Sequence, residues 1–312
     1  MNKFTLLLLM VLVAIAGCNP FPMHPISDIE EGFDGVKKVI VKGGALEVSY
    51  RGGPEAQKVH LNAFVEASDE SIDGVIYHQS GDQLIVEFDP EINFSFLFGH
   101  QVKGFISITG PEEMALDMDN SSGKLEVENV RNENIVLKAS SGKLEARHLH
   151  SPNLDIRASS GMIDLEDLEG HLNLRISSGM ASLEGMKGNV VFQGSSGMVK
   201  LDRVEGMVSG KMSSGKANLS NVTTLGEISL SSGMLEAENC GLGETTYLEA
   251  SSGYMKVTST SDLGKFNFDF SVGSGRLTIG DRSSSENLYI DNGSSTTIKG
   301  KLQSGKLDLR GL

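Results

Sequence analysis

The sequence predicts an all-β chain wound as a parallel β-helix (β-solenoid), and three observations carry that prediction. First, a Ser-Ser-Gly corner recurs at Ser122-Gly123, Ser141-Gly142, Ser160-Gly161, Ser178-Gly179, Ser196-Gly197, Ser214-Gly215, Ser232-Gly233 and Ser252-Gly253, the glycines 18 to 20 residues apart. A fixed period of that size marks a stack of repeats, each unable to bury its apolar face alone. Second, apolar residues alternate around every corner with the period of two that belongs to strands. Third, no stretch of the repeat region follows the helical period. Coils of this length stack by parallel pairing, about 4.8 Å per step.

The chain opens on Lys3, an apolar run from Leu6 to Ile15, and Ala16-Gly17-Cys18. A basic start, an apolar core too short to cross a bilayer and small residues before a cleavage point describe a secretory signal. Ile15-Ala16-Gly17-Cys18 resembles a bacterial lipobox. The resemblance implies a signal peptide over 1–17 and a lipidated (palmitate-bearing) Cys18 at the mature N-terminus. The membrane would then be a partner through the lipid anchor. Asn19 stands where an aspartate would be the usual inner-membrane retention signal in enteric bacteria, which for a host of that type favours the outer membrane of the cell envelope. Residues 18–32, with Pro20, Pro22 and Pro25, read as a tether.

Residues 33–110 read as an irregular β entry region that caps the first coil. Gly44-Ala45-Leu46-Glu47-Val48 and Ser80-Gly81-Asp82-Gln83-Leu84 look there like imperfect repeats. The stretch Ile92 to Phe105, with Phe94, Phe96, Leu97 and Phe98, reads as a lid on the open end of the solenoid or as a loop that touches membrane or a partner.

Residues 111–312 read as the regular solenoid. Counting from each corner glycine, inward columns lie seven before (Leu116, Ile135, Leu154) and five before (Met118, Leu137, Ile156). Others lie two after (Leu125, Leu144, Ile163), four after (Val127, Ala146, Leu165) and seven after (Val130, Leu149, Leu168). The corner glycine is expected to supply a positive φ, and the stacked serine hydroxyls to bond one another up the ladder. Beyond Gly253 the repeat loosens. Phe266, Phe268 and Phe270 thicken the core, and Gln303-Ser304-Gly305 ends the stack.

Phe105-Ile106-Ser107-Ile108-Thr109-Gly110-Pro111, followed by serial Ser-Gly-x-Leu-x-Val units, resembles the putative-adhesin β-strand-repeat domain family of unknown function, akin to the head domains of autotransporter adhesins. The resemblance spans residues 33–312. It implies a β-helical envelope protein and brings no catalytic residue with it. The doubled serine and the methionine that often follows it depart from the commoner single Ser-Gly form.

A formal net charge of −14 argues against nucleic acid as a partner. The absence of Trp argues against a deep sugar-stacking cleft. With Cys18 lipidated, Cys240 has no cysteine to pair with, so burial and hydrogen bonds hold the fold. Outward columns three and five after the glycine are mostly acidic (Glu126, Glu145, Asp164, Glu128, Glu166), and four before lean basic (Lys138, Arg157, Arg175, Lys211). This predicts one acidic and one basic lateral face. His148 and His150 lack a third ligand at metal spacing, and no cofactor is expected.

Met162, Met180, Met198 and Met234 follow their corner glycines with outward parity and form a candidate partner-binding stripe. Together these features describe a non-catalytic envelope lipoprotein presenting a solenoid surface for adhesion or for protein or glycan contact. A polysaccharide-acting β-helix enzyme, or an envelope-stress sensing scaffold, is the alternative. The enzyme would need acid and base side chains clustered over a cleft, which short regular corners do not supply.

Overall fold

The structure is a computed structural model that describes residues 22–88 and 101–312. The readings of the signal, of Cys18 and of Phe94, Phe96, Leu97 and Phe98 lie outside the described residues. The molecule is a β-solenoid of parallel coils, and the way its two ends are built departs from chain order.

At the N-terminal end stand β1 (His24–Phe33), β2 (Lys38–Lys42), β3 (Glu47–Gly53), β4 (Val59–Ala67), β5 (Ile76–Ser80), β6 (Gln83–Glu87) and β7 (Val102–Pro111). Residues 24–32 therefore belong to the sheet. β1 runs antiparallel to β4, pairing Ile29 with Ala63, because Ile26, Ile29 and Phe33 have core to pack against. The tether reading fails over these residues for that reason.

β2 and β3 form a full coil, not an irregular cap. Val39 and Val41 lie in register with Leu116 and Met118, and Val48 and Tyr50 with Leu125 and Val127. Leu46 thus occupies the corner-glycine position, two residues later than the motif at Gly44 indicates. Ser80-Gly81 is no corner either. It turns the β5–β6 hairpin, with Gly81 at φ 62°.

The regular body comprises β8 (Ala115–Asn120), β9 (Lys124–Arg131), β10 (Asn134–Ala139), β11 (Lys143–Ala158), β12 (Met162–Ile176), β13 (Met180–Gly194), β14 (Met198–Met212), β15 (Lys216–Leu230), β16 (Met234–Ala250) and β17 (Tyr254–Ser259). Each pairs in parallel with the strand one coil away. All five inward columns are buried, and a sixth, three before the glycine, joins them: Ala139, Ala158, Ile176, Met212, Leu230 and Ala250. Large and small residues interlock between coils. Phe192 faces Gly210, where an added Cβ would fall 2.2 Å from its ring, and Met212 fills the space beside Gly194. Each such buried side chain contributes roughly 1.5–3 kcal/mol.

Burial at both four and seven after the glycine breaks strict alternation, and one backbone feature resolves it. The residue six after the glycine is left-handed in successive coils: Asn129, His148, Asp167, Gly185, Arg203, Asn221 and Asn239, with φ between 51° and 83°. One residue in that conformation turns the strand and resets its parity, and Asn, Asp and Gly tolerate it best. Asn side chains also bridge the coils there: Asn239 donates to Asn221, and Asn221 to Asp202.

The corner glycines act through space, not through φ. None of the eight has a positive φ. A Cβ built on Gly142, Gly179 or Gly215 would lie 1.9, 1.8 or 2.0 Å from the carbonyl oxygen of the glycine one coil below. The corner is tight enough to hold its ladder in main-chain bonds, as from Ser160 N to Ser140 O and from Ser196 N to Ser177 O, both 2.7 Å. The hydroxyls do not form the expected ladder, since the outward serines point to water. Among the described residues, Ser274 and Ser304 are the stacked corner pair whose hydroxyls meet, at 3.1 Å.

The C-terminal end comprises β18 (Asn267–Val272), β19 (Arg276–Ile279), β20 (Arg282–Ser284), β21 (Leu288–Ile290), β22 (Thr297–Leu302) and β23 (Lys306–Gly311). The last segment of the chain does not end the stack. β22 pairs with β16 on one side and β18 on the other, and β23 with β17 and β19. The chain turns back and inserts its final coil beneath the preceding one. The N-terminal end mirrors this arrangement, because β2 and β3 lie between β6/β7 and β8/β9. Short antiparallel strands then cover the outermost coils: β20 on β19, β21 on β18, β5 on β6 and β4 on β7. Open parallel edges invite pairing with other chains, and short antiparallel additions blunt them. Among the described residues, no helix is long and apolar enough to cross a membrane.

Candidate functional site

The surface that distinguishes this solenoid is the corner face, built from the two serine columns and the residue directly after each glycine. That residue begins each strand and points outward, and its column runs unbroken in register. From Lys124 and Lys143 it passes to Met162, Met180 and Met198, then to Lys216, Met234, Tyr254, Lys306 and Arg276. Three methionines therefore stack on adjacent strands, about 4.8 Å apart, between Lys143 and Lys216. Met162 and Met180 are 43% and 41% exposed and Met234 is 38% exposed, while Met198 is half-buried. Parity alone places these side chains outward, and the structure finds them there. Lys216 separates Met234 from the other three.

The expected split into acidic and basic faces does not occur, because lysines of this column reach the carboxylates two residues further along the strand. Lys124 contacts Glu126 at 2.8 Å and Glu145 at 3.0 Å, and Lys143 contacts Glu145 at 2.7 Å and Asp164 at 2.9 Å. Arg147 adds Glu126, Glu145 and Glu166, and Lys216 takes Glu236 at 2.6 Å. On the basic side, Lys138 pairs with Asp117, Arg157 and Arg175 with Asp155, and Lys211 with Glu227. Residues two apart on a strand share a face, so each column neutralises its neighbour.

Glu145 is the most buried of these carboxylates, only 8% exposed. The hydrogen bond from Lys143 holds its carboxyl below the usual carboxylate range, against the opposing pull of burial, and Lys124 assists. Both lysines are raised in turn by their carboxylate partners. A carboxylate depressed in the folded state stabilises above its unfolded pKa and ceases to do so as pH falls through its folded value. Lysines raised in the folded state keep their contribution until pH climbs past their own range. The network is thus complete at neutral pH and fails first on the acid side. Melting temperature is expected to fall steeply below about pH 4, and Glu145→Gln to flatten that slope. A slope unchanged in the variant would show that other groups carry it.

His148 is the left-handed residue of its coil, 3.8 Å from Asp167, and His150 lies 3.2 Å from Glu169. Among the described residues, no three His, Cys, Asp or Glu side chains converge as a metal site. Cys240 takes an aliphatic position in the core, where burial pushes its thiol up to about 11. The left-handed column was the feature sequence reasoning missed. Its signal was present as Asn, Asp or Gly six after most corner glycines.

No curated protein matches the chain in sequence. Among solved structures, a putative adhesin from Parabacteroides merdae superposes with TM-score 0.55 at 11% identity, covering 93% of this chain and 96% of that one. A putative lipid binding protein from Parabacteroides distasonis covers 95% and 98% at TM-score 0.47 and 13% identity. A putative adhesin from Bacteroides fragilis covers 93% and 97% at TM-score 0.39 and 11% identity. At such identities the P. merdae likeness speaks for the fold alone. The Toastrack DUF4097 family model matches residues 101–209 and again 181–310, which takes in the corners, the left-handed column and the folded-back C-terminal end. On that match the chain belongs to the Toastrack DUF4097 family, a family of unknown function.

Proposed function

We propose that this protein is a non-catalytic lipoprotein of the bacterial cell envelope that uses its corner face for adhesive contact with an envelope protein or glycan. The observation that carries the reading is the in-register ladder of Met162, Met180 and Met198. It is an exposed, adaptable apolar strip set between Lys143 and Lys216, whose own charges are paired with carboxylates. Methionine accommodates partners of irregular shape because its side chain is unbranched and polarizable. Flanking serine hydroxyls supply donors and acceptors at each corner. The P. merdae structure of like fold, a putative adhesin, is consistent with such a role. Cys18, preceded by Ile15-Ala16-Gly17, would anchor the rod to the membrane, and Asn19 favours the outer one.

The test uses the full-length chain in its host envelope. Replacing Met162, Met180 and Met198 by Lys is expected to abolish crosslinking to envelope components while leaving the β circular-dichroism signal intact. Cys18→Ser is expected to release the protein from the membrane fraction and abolish labelling by palmitate. Unchanged crosslinking in the triple variant would refute the contact surface. Membrane retention of the Cys18 variant would refute the anchor.

A further inference from the structure

At the C-terminal end the same outward column changes character. In the regular coils, Lys124 and Lys143 each hold the carboxylate two residues on, and Lys216 holds Glu236 of the next coil. In the last two layers that position is Asp308 after Lys306 and Thr278 after Arg276. Asp308 is bonded instead by Arg310, at 2.8 Å. Lys306 consequently turns onto the ring of Tyr254, its Nζ 5.2 Å from the centroid. Arg276 is exposed and forms no ion pair among the described residues. The order of the stack sets these groups side by side: Tyr254 pairs in register with Lys306, and Lys306 with Arg276. Adjacent strands lie about 4.8 Å apart, so both cations reach a single anion.

They line an open, shallow cleft of about 750 Å³ together with Tyr254, Ser274, Ser285 and Ser304, and none of its lining residues is acidic. Ser285 follows β20. The hydroxyls of Ser274 and Ser304 lie 3.1 Å apart. A chain with formal charge −14 thus leaves two neighbouring cations unneutralised, beside an aromatic ring and hydroxyl groups. Arg recognises carboxylate and sulfate groups through its planar fork, and serine and tyrosine hydroxyls match the hydroxyls of a sugar. Because the screening length at physiological salt is about 8 Å, the local pair governs recognition more than the distant net charge does.

We infer that this cleft is a subsite for the acidic group of an anionic polysaccharide, with Arg276 and Lys306 clamping the carboxylate or sulfate and the serines and Tyr254 holding the sugar. The site is separate from the methionine ladder and stands or falls independently of it. The test is binding of the detergent-purified full-length chain to polygalacturonate and to dextran sulfate, with neutral dextran as control. Anionic vesicles of phosphatidylcholine and phosphatidylglycerol form a further arm. The expected result is binding to at least one acidic polymer and not to dextran, weakened by salt. Arg276→Ala with Lys306→Ala should weaken it at least tenfold. Binding to polygalacturonate alone would assign a carboxylate ligand, and to dextran sulfate alone a sulfate. Absence of binding to either polymer overturns the inference. So does equal binding to dextran, preference for the vesicles, or an undiminished affinity in a double variant with unchanged circular dichroism.

Discussion

Gly179→Val is expected to be among the most damaging single substitutions in the chain, while Ser178→Ala beside it is expected to be nearly silent. A Cβ at Gly179 would sit 1.8 Å from the Gly161 carbonyl oxygen, and that oxygen accepts the Met180 amide at 3.2 Å. Neither partner can move without breaking the pairing of two coils, because the contact is backbone against backbone. Overpacking typically costs about 1–3 kcal/mol and occasionally more, and a backbone-against-backbone clash that cannot relax stands at the upper end. Thermal unfolding of Gly179→Val, Gly179→Asn and Ser178→Ala separates two explanations. If the glycine were retained for a left-handed backbone, Asn would rescue it. With its place taken by the neighbouring coil, Asn fails as Val does. A stable Gly179→Asn variant would refute the close-approach account.

The second large effect concerns the end of the chain. A protein ending after Ser295 lacks β22 and β23, which lie inside the stack and not at its tip. Their removal strips Leu248, Ala250, Met255 and Val257 of the coil that covers them and leaves β18 and β19 without a parallel neighbour. Ile298, Leu302, Leu307 and Leu309, all buried, are lost at once. At roughly 1.5–3 kcal/mol each, these four residues together rival the whole stability of an ordinary domain. The expected outcome of limited proteolysis is rapid cleavage throughout residues 267–290, although those residues are present in the truncated chain. Protection of that segment at wild-type levels would mean that β22 and β23 form the tip and that the inserted order is wrong.

Much of the architecture was legible in the sequence because a solenoid repeats its local rules. Alternation around each glycine identified Leu125, Val127 and Leu137 and their equivalents as core without any long-range information. The same parity put Met162, Met180 and Met234 on the surface. What repeats could not reveal was which coil lies against which at the ends. Nothing in Gln303-Ser304-Gly305 distinguishes a coil that ends a stack from one inserted beneath another, since both present the same inward and outward faces. The register of β3 was misread by two residues for a related reason. A shift of two preserves the face of every side chain, so pattern alone cannot detect it.

The sequence by itself determined that this protein is a parallel β-solenoid, where the corners of its regular body fall and which side chains its strands turn inward. Local alternation and a fixed period are properties of the chain alone. Tertiary structure decided the rest: that the corner glycine makes room for a carbonyl instead of taking a positive φ, that acidic and basic columns cancel, and that both ends fold back. Each depends on the distance between residues in different coils, which only stacking sets. The uncompensated pair of Arg276 and Lys306 arises in the same way, because it exists only where the final coil slips beneath the one before it.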